Sequence, residues 1–238
     1  MDRSAEIADR RVLVIGGSSG IGEGVAHMCA RHGARVTIAS RSPDNLTAAA
    51  GRIGAPVETG TIDVRHDESV AAFFADDTVY DHVVVSGANV SIAPVRDLAP
   101  ADAQRSMNAK FWGAYRVAHW ANITPTGTLT LISGAASVRA VRGRALQRAM
   151  NAAVEALTKG LALELSPVRV NAVSPGIIAT PAWTDAGPDR RHLLDTLVAN
   201  TPVGQPGRPE HIARQVIACM QNEFMTGSVI YVDGGYLA

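Results

Sequence analysis

RVLVIGGSSGIGEG, residues Arg11–Gly24, decides the fold. The apolar residues Val12–Ile15 run straight into Gly16, Gly17, Gly20 and Gly22, and Glu23–His32 follows with the length and apolar content of a helix. A short buried strand, a glycine-rich turn and a helix make a dinucleotide-binding crossover. Glycines permit the tight turn and close backbone approach, and the helix start offers unpaired N–H groups to a pyrophosphate. The spacing here is Gly16-x-x-x-Gly20-x-Gly22 rather than G-x-G-x-x-G, with Ser18 and Ser19 able to add hydroxyl donors and Ile21 between the last two glycines.

Outward from this turn, apolar runs alternate with helical stretches. Strands are expected at Val36–Ala39, Val57–Ile62, His82–Val85, Thr128–Ile132, Arg169–Val173 and Ser228–Val232. Helices are expected at Asp44–Gly51, about Glu68–Phe74, Ala101–Trp120, Leu146–Leu165 and Pro209–Met220. Strands separated by helices, with no regular polar face, describe a parallel sheet covered on both sides. Right-handed crossovers restrict its topology. The expected architecture is therefore α/β: a doubly wound Rossmann fold with helices on both faces, forming a single domain over residues 1–238. The polar stretch Thr180–Arg191 falls in an expected small lid at about 177–205.

The 238 residues carry 22 Lys+Arg against 22 Asp+Glu, so formal charge is zero. That balance argues against nucleic acid as a partner, which calls for a concentrated basic face. Lys110 and Lys159 are the only lysines. Cys29 and Cys219 are far apart and read as reduced core thiols of a cytoplasmic protein. The first residues, MDRSAEIADRR, lack the apolar core of a signal peptide. No apolar run approaches the roughly 18 residues of a membrane span, and no Cys/His/Asp cluster suggests a metal.

A carboxylate at the end of the second strand normally holds the ribose diol of NAD. Ser40 stands there, followed by Arg41. This pair can hydrogen-bond a 2′-phosphate and match its charge, so NADPH is expected to be preferred over NADH. Arg139, Arg142, Arg144 and Arg148 crowd the loop after the fifth strand. Two of them facing a pocket would suit an anionic ligand; otherwise they form a solvated or intersubunit face. Trp183 is placed to stack on a planar ligand or to pack on the body, and His192 is a candidate acid in a polar region.

In this order the chain resembles the short-chain dehydrogenase/reductase family over almost its full length. The resemblance rests on IGGSSGIG at 15–22, Asp63-Val64, Asn108 in MNAKFWG, ALTKGLALELSPVRVNAVSPG at 156–176, Thr180, and the YVDGG of 231–235. It implies about seven parallel strands and a homotetramer or homodimer joined through helices at about 101–120 and 146–165. It also implies that Asp63 and Val64 contact the adenine region. Ser86, Gly87, Ala88 and Asn89 stand where the family has Asn-Asn-Ala-Gly, with Ser86, Gly87 and Ala88 along the adenosine edge. Pro175, Gly176, Ile178 and Thr180 would touch the nicotinamide end, and Asn108 would serve both cofactor and proton relay. Asn108 can instead tie its helix to the neighbouring strand.

The family's Tyr-x-x-x-Lys pair falls on Gln147 and Asn151, and its Ser falls on Gly134, with Ser133 one residue away. The expected catalytic positions are thus Asn108, Ser133, Gln147 and Asn151. An amide such as Gln147 donates a hydrogen bond but does not exchange a proton near neutrality. Lys159 lies two turns beyond Asn151, roughly 12 Å along the axis at the usual helical rise, too far to substitute. Three functions remain open on these residues. One is an NADP(H)-dependent carbonyl reductase or alcohol dehydrogenase with another proton source. The others are a catalytically silent nucleotide-binding sensor or scaffold, and a non-redox enzyme on the same fold.

Overall fold

The computed structural model describes residues 7–87, 90–181, 188–199 and 201–238, and only the backbone at 188–191 and 193. Ala88, Asn89 and Trp183 lie outside the described residues. Seven strands form one parallel sheet, β1 (Arg11–Ile15), β2 (Arg35–Ser40), β3 (Val57–Thr61), β4 (Tyr80–Val85), β5 (Ile123–Ile132), β6 (Arg169–Pro175) and β7 (Val229–Val232). Their order across the sheet is β3-β2-β1-β4-β5-β6-β7. The chain reverses direction of travel between β1 and β4, which opens a crevice at the carboxyl ends of those strands.

The helices are α1 (Gly20–Arg31), α2 (Pro43–Ile53), α3 (Asp67–Phe73), α4 (Pro100–Met107), α5 (Gly113–Trp120), α6 (Ala145–Glu164), α7 (Pro188–Ala199) and α8 (Pro209–Gln221). Alternation along β1 shows why both sheet faces are covered. Val12 and Val14 belong to the apolar cluster shared with α1, α2 and α8. Leu13 and Ile15 belong to the opposite cluster, shared with α3, α5 and α6. Arg169 then fastens α8 to the sheet: its guanidinium donates to the carbonyls of Cys219, Met220, Asn222 and Met225 at 2.7–3.0 Å. The first three are carbonyls that the end of α8 leaves unpaired, and Met225 belongs to the loop that follows.

Several boundaries differ from the sequence reading for local reasons. Helix α1 begins at Gly20 rather than Glu23, because the glycine turn supplies the helix's own first turn after Ser19. Ser42 caps α2 by accepting from the Asn45 amide at 3.3 Å, and Gly54 ends it in the left-handed region at φ 67°. The strand β5 starts at Ile123, so Pro125 and Gly127 lie inside it rather than before it. Its pairing with β4 shifts between Tyr80 and His82, an irregularity that accommodates such residues. Likewise β6 runs through Ser174 and Pro175, which pair with Tyr231 and Val232 of β7. The single helix expected over 101–120 is instead α4 and α5 joined by a π turn, Asn108–Trp112.

Both cysteines are buried and unpaired, and burial pushes the Cys29 thiol up to about 12. His82 on β4 is buried and shares a 2.9 Å hydrogen bond with Thr128 on β5. Burial lowers its pKa from 6.5 to about 4, with Arg169 and Arg10 lowering it further against the pull of Asp81. The unfolded chain therefore binds a proton below about pH 6.5 that the folded chain refuses until about pH 4. The stability contributed is present above pH 6.5 and is lost as the pH falls through that window, about 3 kcal/mol at most. Urea unfolding between pH 7 and pH 4 is expected to show this slope in the wild type and a flatter one in H82Q.

Candidate functional site

At the crest of β1 the Gly16 amide donates to the Ala39 carbonyl at 2.7 Å, and the Ser86 amide donates to the Ile15 carbonyl at 2.8 Å. The turn is so close to the end of β4 that a Cβ on Gly16 would stand 1.5 Å from the Ser86 oxygen. A Cβ on Gly22 would stand 2.2 Å from the Gly16 oxygen, so the helix start is pressed onto the turn. Ser19 precedes α1 without capping it through its side chain. The first-turn N–H groups of α1 thus face the crevice with no side-chain cap, which suits an anion.

At the end of β2 the Ser40 hydroxyl is buried and has no hydrogen-bond partner. A buried hydroxyl left without a partner is costly unless something else binds it. The next residue, Arg41, is exposed. An orphaned hydroxyl, an exposed guanidinium and a bare helix start form a donor set that fits an anionic dinucleotide. Asp63 is differently engaged. Its carboxylate receives three side-chain hydrogen bonds from Arg65 at 2.6–3.2 Å and one from the Arg65 amide. Those bonds hold the carboxyl below its usual range, so the expected adenine contact has to compete with Arg65.

Beyond the glycine turn lies a cavity of about 190 Å³ that brings together Ile21, Ser133, Gly134, Gln147 and Asn151 with Pro175, Gly176, Ile178 and Thr180. The chain thus gathers on one wall the three positions where the Ser, Tyr and Lys would be expected. Their replacements fit one another: a Cβ on Gly134 would stand 2.7 Å from Asn151 Nδ2. Asn151 is buried, and its amide takes the space that a serine at 134 would need.

Asn108 is not on that wall. Its Nδ2 donates to the Arg65 carbonyl at 3.0 Å, and its Oδ1 accepts from Arg116 at 2.9 Å. The amide ties the π turn to the loop after β3. The Ser133 hydroxyl also turns away, contacting the Asn151 carbonyl at 3.1 Å and Glu155 at 2.8 Å. Of the four loop arginines only Arg144 lines the cavity, beside Gln147, to which it donates at 3.3 Å. Arg139 donates to the Tyr236 carbonyl and lies over its ring, and Arg148 donates to the Val138 carbonyl. His192 is exposed on α7 and is absent from the cavity wall. Among the described residues no His/Cys/Asp/Glu group has the makings of a metal site.

Three side chains that the sequence reading did not single out complete the site. Lys110, in the π turn, lines the cavity and donates from Nζ to the Ser133 carbonyl at 3.1 Å. Burial lowers its pKa to about 8, against the opposing pull of Glu155. Glu155 on α6 lies behind the wall as an acceptor hub. Its Oε1 receives the hydroxyls of Ser133, Ser137 and Ser174 at 2.7–3.0 Å, and its Oε2 receives Tyr231 at 3.2 Å. Tyr236, near the chain end, lines the cavity as well. The scarcity of lysine, with one of two just past Asn108, was the signal available for Lys110.

A family model for enoyl-(acyl carrier protein) reductases matches residues 16–237. The structure of the reductase/Diels-Alderase MalC from Malbranchea aurantiaca superimposes with a TM-score of 0.91, at 29% identity, covering 99% of each chain. A small-chain dehydrogenase solved in complex with NADPH superimposes at 0.81, with 31% identity over 96% of this chain and 99% of that one. The L-xylulose reductase of Homo sapiens is 28% identical over 98% of both chains.

Proposed function

The chain belongs to the short-chain dehydrogenase/reductase family, and from that membership we propose that it is an NADP(H)-dependent carbonyl reductase or alcohol dehydrogenase with a non-standard proton source. The observation that carries the proposal is the continuity of the glycine turn with a cavity bearing Lys110, Gln147 and Asn151. The turn residues Gly16, Ser18, Ser19, Gly20, Ile21 and Gly22 would hold the pyrophosphate, and Ser40 with Arg41 the phosphorylated ribose. The Val64, Ser86 and Gly87 backbone would flank adenosine, and Pro175, Gly176, Ile178 and Thr180 the nicotinamide end. When bound, the reduced cofactor supplies a hydride to a carbonyl carbon. Gln147 and Asn151 donate hydrogen bonds that orient the carbonyl, and neither exchanges a proton near neutrality. Wild-type protein is expected to consume NADPH absorbance with L-xylulose or ethyl acetoacetate as carbonyl probe. Bound NADPH with no consumption across such ketones would favour the silent sensor or scaffold.

A second reading, non-redox chemistry on the same fold, draws on two observations. Gly134, Gln147 and Asn151 leave the family's proton-transfer positions without an acid, and MalC is named as both reductase and Diels-Alderase. Cofactor-independent conversion of a diene substrate would favour it over reduction.

Arg41 decides between the dinucleotides in this proposal. R41A is expected to weaken NADPH by about tenfold or more, the loss of one charge-assisted hydrogen bond, and to leave NADH binding unchanged. Equal weakening of both would refute the 2′-phosphate role. The region of about 177–205 is proposed as a lid over the cavity, since Ile178, Thr180 and Leu197 already lie on its wall. Association through α4–α5 and α6 is proposed on the exposed Trp112, Tyr115 and Leu163 that those segments carry. No described helix is long and apolar enough to cross a membrane.

A further inference from the structure

We propose that Lys110 Nζ is the proton donor to the substrate oxygen in this cavity, taking over the acid role that Gln147 cannot perform. The assignment rests on the reductase reading above and names its missing proton source. Lys110 lines the same cavity as Gln147 and Asn151, so a carbonyl oxygen oriented by those amides shares that cavity with its ammonium. An ammonium has three N–H bonds, and the structure engages one, with the Ser133 carbonyl at 3.1 Å. The remaining donors are available to a ligand.

The groups around Lys110 favour a proton that can leave. Burial draws its pKa to about 8, near neutrality, while Glu155 on α6 faces it as the opposing charge and favours the protonated form. That match is what general acid catalysis requires. Asn108 of the π turn and Arg116 of α5 are bonded to each other and to the loop after β3. The other titratable side chains on the cavity wall are Arg144 and Tyr236. Arginine keeps its proton throughout the accessible pH range. Tyr236 lies under the Arg139 guanidinium, 4.7 Å from its ring centre, and is the competing donor.

The transfer balances simply. An N–H bond breaks at Lys110 Nζ, an O–H bond forms on the substrate, and the electron pair stays on nitrogen. The two electrons that reduce the carbonyl arrive as the hydride of the dinucleotide in the reductase reading. Solvent then reprotonates the neutral amine.

Two lysines in the chain make the test direct. In protein labelled with ¹⁵N-lysine, one side-chain resonance is expected to titrate near 8 and to vanish in K110M; Lys159, exposed on α6, supplies the second resonance. With NADPH and L-xylulose or ethyl acetoacetate, K110M is expected to lower kcat by about 10²- to 10⁴-fold while still binding NADPH. K110R keeps the positive charge but holds its proton too tightly to act as a general acid, so it is expected to fall as far, and the wild-type rate is expected to decline above about pH 8. A Lys110 midpoint above about 10, the ordinary value, overturns the assignment whatever the enzyme does with ketones. So does K110R turning over at the wild-type rate, the mark of a purely electrostatic role. Loss in Y236F with K110M still active transfers the role to Tyr236 and overturns it. Wild-type protein that binds NADPH and reduces neither probe refutes the reductase reading itself, and the donor role with it.

Discussion

Gly16→Ala is expected to destabilise the fold by about 4 kcal/mol or more, in the exceptional range for one substitution, and to abolish saturable NADPH binding. Two independent effects add at this residue. Its φ of 82° is in the region that side chains avoid, worth about 1–3 kcal/mol. The added methyl would also stand 1.5 Å from the Ser86 carbonyl oxygen. That oxygen is backbone, on a segment held by the bond from the Ser86 amide to Ile15, so no side-chain rotation relieves the overlap. The β1 and β4 ends must separate, and the crevice between them is the proposed dinucleotide site. Gly51 is the contrasting position: it is exposed in α2, and an added Cβ meets nothing within 4 Å. Gly51→Ala is expected to stabilise by about 0.5–1 kcal/mol, the ordinary helical preference. Urea unfolding of both variants, with NADPH titrations at native conditions, checks the pair. Equal behaviour of the two would remove the steric account of the turn.

Glu155→Leu is expected to cost about 3–5 kcal/mol, the scale of breaking a buried charged network from one side. Three serine hydroxyls and the Tyr231 phenol converge on this carboxylate, and Lys110 faces it across the wall. A leucine leaves those donors without an acceptor and the ammonium without its opposing charge. Glu155→Gln keeps one acceptor oxygen, turns the other into an NH2 donor and removes the charge, so a smaller loss is expected. It also removes the interaction that raises the Lys110 pKa, so the basic limb of a kcat profile is expected to move to lower pH. Urea unfolding of E155L and E155Q, followed by pH-rate profiles of E155Q, reads both effects. A basic limb that stays in place in E155Q would mean that the carboxylate does not hold the Lys110 proton.

The parts of the fold set by local chemistry were legible in the sequence. The Val12–Ile15 run, the glycines after it and the strand–helix alternation specify the crossovers, and the observed sheet follows them. The place of Ser40 at the end of β2, with Arg41 after it, was legible because the Val36–Ala39 run marks the strand. The π turn was not, since the residues of Asn108–Trp112 suit an ordinary helix and the extra residue is accommodated by tertiary contacts, including Asn108 to Arg65 and Arg116. That turn matters because it accompanies the division of roles between Asn108, bonded into the scaffold, and Lys110, on the cavity wall. Pro125 and Gly127 read as the end of the connection before the fifth strand, yet the irregular pairing of β4 with β5 keeps them inside the sheet. Glu155 was hidden for another reason. Its four hydroxyl partners come from β7, β6, the end of β5 and the loop after it, segments that only the folded sheet brings together.

The loop arginines illustrate the same limit. Four guanidiniums in ten residues read as an anion site or as a solvated face, but Arg139 and Arg148 are bonded to backbone carbonyls. Arg144 alone among them reaches the cavity, beside Gln147. The second cation there is Lys110, contributed from the other side of the sheet order by the segment between β4 and β5.

A fluorescence titration of the purified chain with NADPH and, separately, with NADH tests the account most directly. Saturable NADPH binding at micromolar concentration or tighter, about −8 kcal/mol, with NADH at least about tenfold weaker, is the predicted result. Absence of saturable binding by either dinucleotide would contradict it.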